Sequence, residues 1–272
     1  MEREERVEAI AKEAFAVLGT GEQVPPFTAR YPGFDLDESY DVVNRVRDRR
    51  AARGEARIGR KIGFTNREVQ IAYHVHGPIW NYMFDSTVRE AAKLAAPFAL
   101  SGLPEPLLEP EIALHLAVPP LPGMSEDELF GCVDWVAHGC EIVQSIFPGW
   151  KVKAADCVAG YGLHGAYFLG PKRTIGADRR AWAEALSSFT LELSHEGEVV
   201  RRGRATNVLG GPVKALKFLV DAIAASPQSE PLRAGEIVTT GTLTDAMPIG
   251  PRQRWSTKLA GIALPGLELR FA

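Results

Sequence analysis

The chain has 272 residues, 46% hydrophobic and 24% charged, an ordinary globular composition with enough apolar material for a sizeable core. Its 31 basic and 34 acidic residues leave a net charge of -3, and no half of the chain carries a basic excess, which speaks against a nucleic-acid surface. No apolar run approaches the roughly 18 to 20 residues of a membrane helix, and residues 1–18 are too dense in Glu and Arg for a signal peptide. Cys132, Cys140 and Cys157 form no CxxC, so reduced thiols and a cytoplasmic setting are expected.

Val7, Ile10, Ala11, Ala14 and Leu18 recur at helical spacing, with Gly19 and Gly21 as a stop. Val24-Pro25-Pro26 opens an extended stretch. A second helix is predicted from about Asp35, with Leu36, Tyr40, Val43 and Val46 as its buried stripe. Arg47, Arg49 and Arg50 suit the negative end of its dipole, and Gly54 is a candidate cap. Residues 109–118 alternate, with Ile112, Leu114, Leu116 and Val118 on one face and Glu109, Glu111, Ala113 and His115 on the other. Ser125-Glu126-Asp127-Glu128 reads as a capping box opening a helix through Leu129, Cys132, Val133 and Val136. Residues 189–193 and 198–201 read as two strands joined around Glu196-Gly197. Gly210-Gly211-Pro212 starts a helix bearing Val213, Leu216, Leu219 and Ile223, and residues 236–240 and 267–271 are short β segments. The sum is an α+β chain without internal repeats. Residues 1–90 form a helical N-terminal region, and residues 91–272 a β-rich part.

Chemistry concentrates in Glu109-Pro110-Glu111-Ile112-Ala113. On a strand, residues two apart share a face, so both carboxylates project together. Spacing alone leaves two readings open. One is a solvated face with two ordinary glutamates; the other is a close pair whose repulsion is relieved by a proton or a cation. A hard divalent ion such as Mg²⁺ or Mn²⁺ prefers oxygen ligands. Glu141 adds a third acid, set among apolar residues in His138-Gly139-Cys140-Glu141-Ile142-Val143. A carboxylate there is either paired, for instance with Lys151 or Lys153, or bound to something. His74-Val75-His76 has strand spacing but also the pattern of a polar loop edge, and Gly210-Gly211 and Gly160-Tyr161-Gly162 lack the spacing of a nucleotide loop.

Several blocks together resemble the fumarylacetoacetate hydrolase superfamily, and within it the 2-keto-4-pentenoate hydratases and related 4-oxalocrotonate decarboxylases. They are Glu109-Pro110-Glu111 with Glu141, Gly59-Arg60-Lys61-Ile62-Gly63-Phe64-Thr65, Glu141-Ile142-Val143-Gln144-Ser145, Ala155-Asp156-Cys157-Val158-Ala159 and the tail from Leu232 to Thr242. Order and spacing match from about residue 55 onward. The resemblance implies a mixed, rolled β-sheet core around a metal, assembled as dimers or larger oligomers. It implies that Glu109, Glu111 and Glu141 bind Mg²⁺ or Mn²⁺ and that Lys61 lies near the substrate. Lys153 and Asp156 match a K-x-x-D pattern of wider superfamily members, and Thr240, Gly241 and Thr242 match a turn that approaches the substrate carboxylate. His164 falls inside a matched block as either an acid–base group or a structural histidine, and His138 reads as structural. Ile79, in Pro78-Ile79-Trp80, stands where hydratases commonly carry an aspartate; Asp85, six residues on, is the candidate substitute.

The implied activity is metal-dependent hydration of a 2-hydroxy-2,4-dienoate, with Lys61 handling a proton or an oxyanion and its pKa lowered by desolvation. Decarboxylation of a 4-oxalocrotonate-type diacid, acylpyruvate hydrolysis and keto–enol tautomerism use the same site chemistry. A non-catalytic subunit, associated with a homologous decarboxylase or hydratase, is the reading from another class. Expected partners are thus a small 2-oxo acid and further copies of the chain, with neither nucleic acid nor membrane. Arg67, Arg89 and Arg204 are candidates to hold a distal carboxylate.

Overall fold

The N-terminal stripe of apolar residues folds as its spacing predicts, except that Val17 and not Leu18 is its last buried member. In the computed structural model, which describes residues 1–272, α1 (Arg3–Val17) buries Val7, Ile10, Ala11, Ala14 and Val17. After the single turn α2 (Phe27–Arg30), α3 (Leu36–Ala52) is opened by Asp35, whose side chain accepts the Glu38 N–H at 2.9 Å. Phe27 packs edge-on to Phe34 and Phe147, at 6.4 and 5.2 Å between centroids. The remaining helices are α4 (Arg67–Ala72), α5 (Glu126–Gly131), α6 (Ala154–Ala159), α7 (Arg179–Ser188) and α8 (Pro212–Ala224). α1, α2, α3 and α6 share one small core, to which Ala155, Ala159 and Tyr161 contribute.

Thirteen strands follow in chain order: β1 (Arg57–Gly63), β2 (Ile79–Phe84), β3 (Val88–Glu90), β4 (Leu107–Leu116), β5 (Val133–Val143), β6 (His164–Leu169), β7 (Arg173–Thr174), β8 (Thr190–His195), β9 (Glu198–Arg204), β10 (Ile237–Thr239), β11 (Met247–Pro248), β12 (Arg254–Ala260) and β13 (Glu268–Arg270). Nine form a curled mixed sheet along the path β2-β1-β10-β4-β5-β6-β3, with β11 on β4 and β7 on β5. β1–β10 and β3–β6 are parallel, and the other pairs are antiparallel. The second sheet, β13-β12-β8-β9, closes the main core together with α8. The α+β class with a mixed β core is therefore present. No helix is long and apolar enough to cross a membrane.

Two expectations change. The long helices end at Ala52, and β1, β2 and β3, within the region expected to be helical, join the main sheet. All six residues of β2 are buried, so its pattern is a continuous run without alternation. The capping box at Ser125 and Glu128 is real, but its helix stops at Gly131, and Val133 and Val136 belong to β5. β5 is central and covered on both faces; its apolar residues then fit a helical period as well as a strand. The hairpin at Glu196-Gly197 forms as predicted, with φ values of 49° and 91° that match a two-residue turn between twisted strands.

The approach of β1 to β10 requires glycine at position 59, where a Cβ would lie 1.9 Å from the Ile237 carbonyl oxygen. Gly59→Ala is expected to part these strands and lower urea-unfolding stability by about 1–3 kcal/mol. An unchanged midpoint would show that β1 is not held this closely.

Candidate active site

Strand register builds the site. β4 and β5 pair antiparallel so that Glu109 lies opposite Glu141 and Glu111 opposite Gly139. The three carboxylates can each direct an oxygen to within 4.8 Å of the others. Glu111 and Glu141 are fully buried, and Glu109 is half-buried. Like charges opposed across strands repel, and burial aggravates this.

Few groups answer that charge. Glu141 Oε1 lies 2.7 Å from His164 Nδ1, and Glu141 Oε2 lies 3.1 Å from Lys61 Nζ, an ion pair off the line of a hydrogen bond. Lys61 Nζ donates to the Gly162 carbonyl at 3.0 Å. Glu111 Oε2 accepts the Gly241 N–H at 3.1 Å, whereas Glu111 Oε1 has no partner. Burial pushes Glu109 up to about 7 and Glu111 well above the usual carboxylate range. Burial acts on Glu141 too, but Lys61 and His164 outweigh it and hold that carboxyl low. For Lys61 the expected lowering is reversed: desolvation lowers it, yet Glu141, Glu109 and Glu111 together hold the ammonium above its ordinary value. An orphaned buried carboxylate oxygen beside two further carboxylates, with one lysine between them, fits a divalent cation. An all-oxygen donor set suits Mg²⁺ or Mn²⁺.

Neighbouring segments press the site together. Gly162, at φ +62°, sits so close that a Cβ would lie 2.8 Å from Asn81 Cβ and 3.2 Å from Lys61 Cδ. Gly241, at φ +91°, abuts Thr65, with only 2.1 Å from a Cβ to Thr65 Oγ1. A cavity of about 230 Å³ opens beside the carboxylates. Lys61, Glu109, Gly162, Gly241 and Thr242 line it, together with apolar groups that include Phe64, Val69, Ile79, Leu107 and Trp150.

Of the residues singled out in the sequence, Lys61, the three glutamates and His164 are brought together. Gly241, Thr242 and Ile79 line the cavity, while Thr240 is buried behind it and bonds through Oγ1 to the Ile112 carbonyl. Lys153 is exposed and outside the lining. Asp156 is buried and accepts from Thr28 N, Thr28 Oγ1 and Lys153 N at 2.9, 2.7 and 3.0 Å, which ties α2 to α6. His138 bridges the Glu111 carbonyl and Thr257 Oγ1, with burial taking its pKa down to about 4. His74 and His76 are exposed, and Asp85 accepts the Ala56 N–H and stands outside the cavity lining. Arg67, Arg89 and Arg204 are exposed and line no part of the cavity.

Sequence reasoning missed Thr87, whose hydroxyl lies 2.9 Å from His164 Nε2, and Tyr167, which leans over Gly139. Gly139 inside a strand was the available signal for Tyr167, since such a glycine marks close approach by a neighbour. Thr87 gave no comparable signal.

These shifts have a consequence for stability. Without metal, folded Glu109 titrates at about 7 against 4.5 when exposed, and Glu111 shifts the same way. The folded state therefore keeps protons that the unfolded chain has released, and this contribution is lost as pH rises through the folded values. His138 and His164 are held neutral, so their opposite contribution falls below about pH 6.5. Metal-stripped protein is expected to melt about 3 °C or more lower at about pH 8.5 than at about pH 6.5, and saturating Mg²⁺ to remove the difference. A flat profile without metal would show that these carboxyls hold no protons.

The family described as Fumarylacetoacetate (FAA) hydrolase C-terminal matches residues 62–262. The chain is 27% identical over 263 residues to a 2-hydroxyhexa-2,4-dienoate hydratase of Comamonas testosteroni, covering 96% of this chain and 97% of the relative. It is 30% identical over 265 residues to a 2-keto-4-pentenoate hydratase of Paraburkholderia xenovorans (strain LB400), covering 96% and 94%. Among solved structures it is similar to 4-oxalocrotonate decarboxylase from Pseudomonas putida G7, complexed with magnesium and adipate, with a TM-score of 0.90, 23% identity and 100% and 99% of the two chains covered. It is also similar to fumarylpyruvate hydrolase from Pseudomonas aeruginosa in complex with Mn²⁺ and pyruvate, with a TM-score of 0.58, 15% identity and 80% and 90% covered. With curled mixed sheet, paired glutamate strands and a family match over most of its length, this chain belongs to the fumarylacetoacetate hydrolase family.

Proposed function

We propose that the protein is a divalent-metal-dependent hydratase that converts a 2-hydroxy-2,4-dienoate into a 4-hydroxy-2-oxo acid. The observation that carries this reading is the Glu109–Glu111–Glu141 cluster, two of its three carboxylates fully buried, with Lys61 as its one lysine, at the side of a largely apolar cavity. Similarity to hydratases along 96% of the chain supports it. Three buried free cysteines suit a cytoplasmic enzyme, and exposed Val118, Leu121 and Phe218 suit contact between copies in a homo-oligomer.

Glu109, Glu111 and Glu141 would hold Mg²⁺ or Mn²⁺. The bound ion would act as a Lewis acid toward charge developing on the substrate's 2-oxygen. Lys61 has three donor positions, of which the Gly162 carbonyl takes one; its ion pair with Glu141 lies off the line of a hydrogen bond, so a donor is available to the substrate. We assign it the stabilisation of enolate charge while a proton moves to C5 and water adds at C4. His164 acts through Glu141: its Nδ1 fixes that carboxylate, and Thr87 fixes the ring from the other side. The backbone N–H of Thr242 has no intramolecular partner, so it is available to the substrate carboxylate next to Gly241. Ile79 contributes an apolar wall. Lys153 and Asp156 take no part in this assignment.

The test is turnover of 2-hydroxypenta-2,4-dienoate, followed by ultraviolet absorbance on metal-stripped protein with and without Mg²⁺ or Mn²⁺. Metal-dependent loss of the dienoate with a 4-hydroxy-2-oxo acid as product is expected. Loss of CO₂ from a 4-oxalocrotonate-type diacid, with no hydration, would replace the reading by decarboxylation. Lys61→Met should cut kcat by about 10²-fold or more while Mg²⁺ still binds in calorimetry. His164→Ala should weaken Mg²⁺ binding by roughly 10-fold or more; unchanged affinity would remove its positioning role.

A further inference from the structure

The cavity has a chemically divided lining. Lys61 and Glu109 are its only charged members, and both belong to the carboxylate end. The rest of the lining is uncharged: Phe64, Val69, Tyr73, Ile79, Leu107 and Trp150 stand beside the neutral polar Thr65, Asn66 and Thr242. Three of the former come from one short segment. Asn66 caps α4 by accepting the Glu68 N–H at 2.9 Å, and α4 then brings Val69 and Tyr73 to the cavity. Phe64 and Tyr73, at the two ends of the segment, pack with ring centroids 4.5 Å apart. The backbone is left-handed at Phe64 (φ 58°) and His74 (φ 53°), a conformation held at non-glycine residues only where surrounding contacts enforce it. Phe64 and Tyr73 thus close on each other as one aromatic part of the wall.

We infer that this wall receives the far end of the substrate and that this end is an uncharged hydrocarbon, so that the enzyme takes dienoates with an alkyl group beyond C5 and rejects those with a second carboxylate. This rests on the hydratase reading for the identity of the reaction, while the choice of tail follows from the lining itself. A carboxylate placed against Phe64, Val69, Tyr73 and Ile79 would lose hydration and meet no cation, because Lys61 stands at the carboxylate end beside Glu141, and Arg67 lies exposed outside the lining. A hydrocarbon in the same place gains from every methylene removed from water.

The experiment measures two things on Mg²⁺-loaded protein. Calorimetric affinities are compared for 2-oxobutanoate, 2-oxohexanoate and 2-oxoadipate, and kcat/KM for dienoates bearing hydrogen, methyl, propyl or carboxylate at the distal carbon. Affinity and kcat/KM should rise about fourfold per methylene until the wall is filled. The diacids should fall about 100-fold below hydrocarbons of equal length. Val69→Arg should reverse that order by supplying the missing cation, whereas Ile71→Arg, on the same helix but exposed, should leave it unchanged. Equal or tighter binding of the diacids by the unaltered protein would overturn the inference. If no dienoate is hydrated but the 2-oxo acids still bind in the expected order, the reaction assignment fails and the tail assignment stands.

Discussion

Three carboxylates held together on adjacent strands are the constraint around which the molecule is arranged. Glu109 and Glu141 face each other across β4 and β5, with Glu111 two residues along. Ordinary strand pairing disfavours such opposition. The compensating groups come from separate parts of the same sheet. Lys61 arrives on β1, separated from β4 by β10; His164 arrives on β6, beside β5; and the Gly241 N–H comes from the loop that follows β10. Loss of register anywhere along β1-β10-β4-β5-β6 would separate charge from counter-charge. A divalent ion, by joining the three glutamates, would strengthen this part of the sheet as well as serve chemistry.

The helical N-terminal layer acts on the same point from outside. Arg6 pairs with Glu38 to join α1 to α3, and Asp156 joins α2 to the start of α6. α6 runs directly into the turn at residues 160–163, whose Gly162 carbonyl accepts from Lys61. Asn81, paired with Lys61 across β1 and β2, donates to Val158 O at 2.8 Å in α6. The lysine is thus held between sheet and helix, and its stem has little room to leave the carboxylates. Asp156 serves the site by architecture, through a segment two steps removed from the chemistry.

The sequence was most legible where a local rule operates. A helix start near Asp35, Glu196-Gly197 as a hairpin turn and Pro212 at a helix start each rest on a few neighbouring residues, and each is found. Alternation in β4 placed Glu109 and Glu111 on one face for the same reason. β5 was misread after Gly131 because burial on both faces erases alternation, the only local signal of a strand. The partners of Glu141 were illegible for a different reason. Lys61 and His164 meet it only through sheet order, so nearer lysines at 151 and 153 looked equally suitable. The same holds for Asp156, whose K-x-x-D spacing is genuine but whose partner, Thr28, lies 128 residues away.

Ile79 and His164 complete the surroundings of Lys61 and Glu141. Ile79 flanks the same point beside Gly63 as Lys61 Nζ: a Cβ on Gly63 would lie 3.1 Å from Ile79 Cγ1 and 3.6 Å from that nitrogen. A fourth carboxylate here would compete with Glu141 for Lys61 and add to the repulsion. With isoleucine, Lys61 faces the cavity from a less polar wall, where its charge is felt more strongly by a bound anion. His164, on the opposite side, supplies a neutral hydrogen-bonding group to Glu141 without adding charge, since burial keeps its pKa lowered. The ammonium thereby has an apolar neighbour, and the carboxylate a neutral hydrogen-bonding one. Ile79 also extends the apolar wall of the cavity.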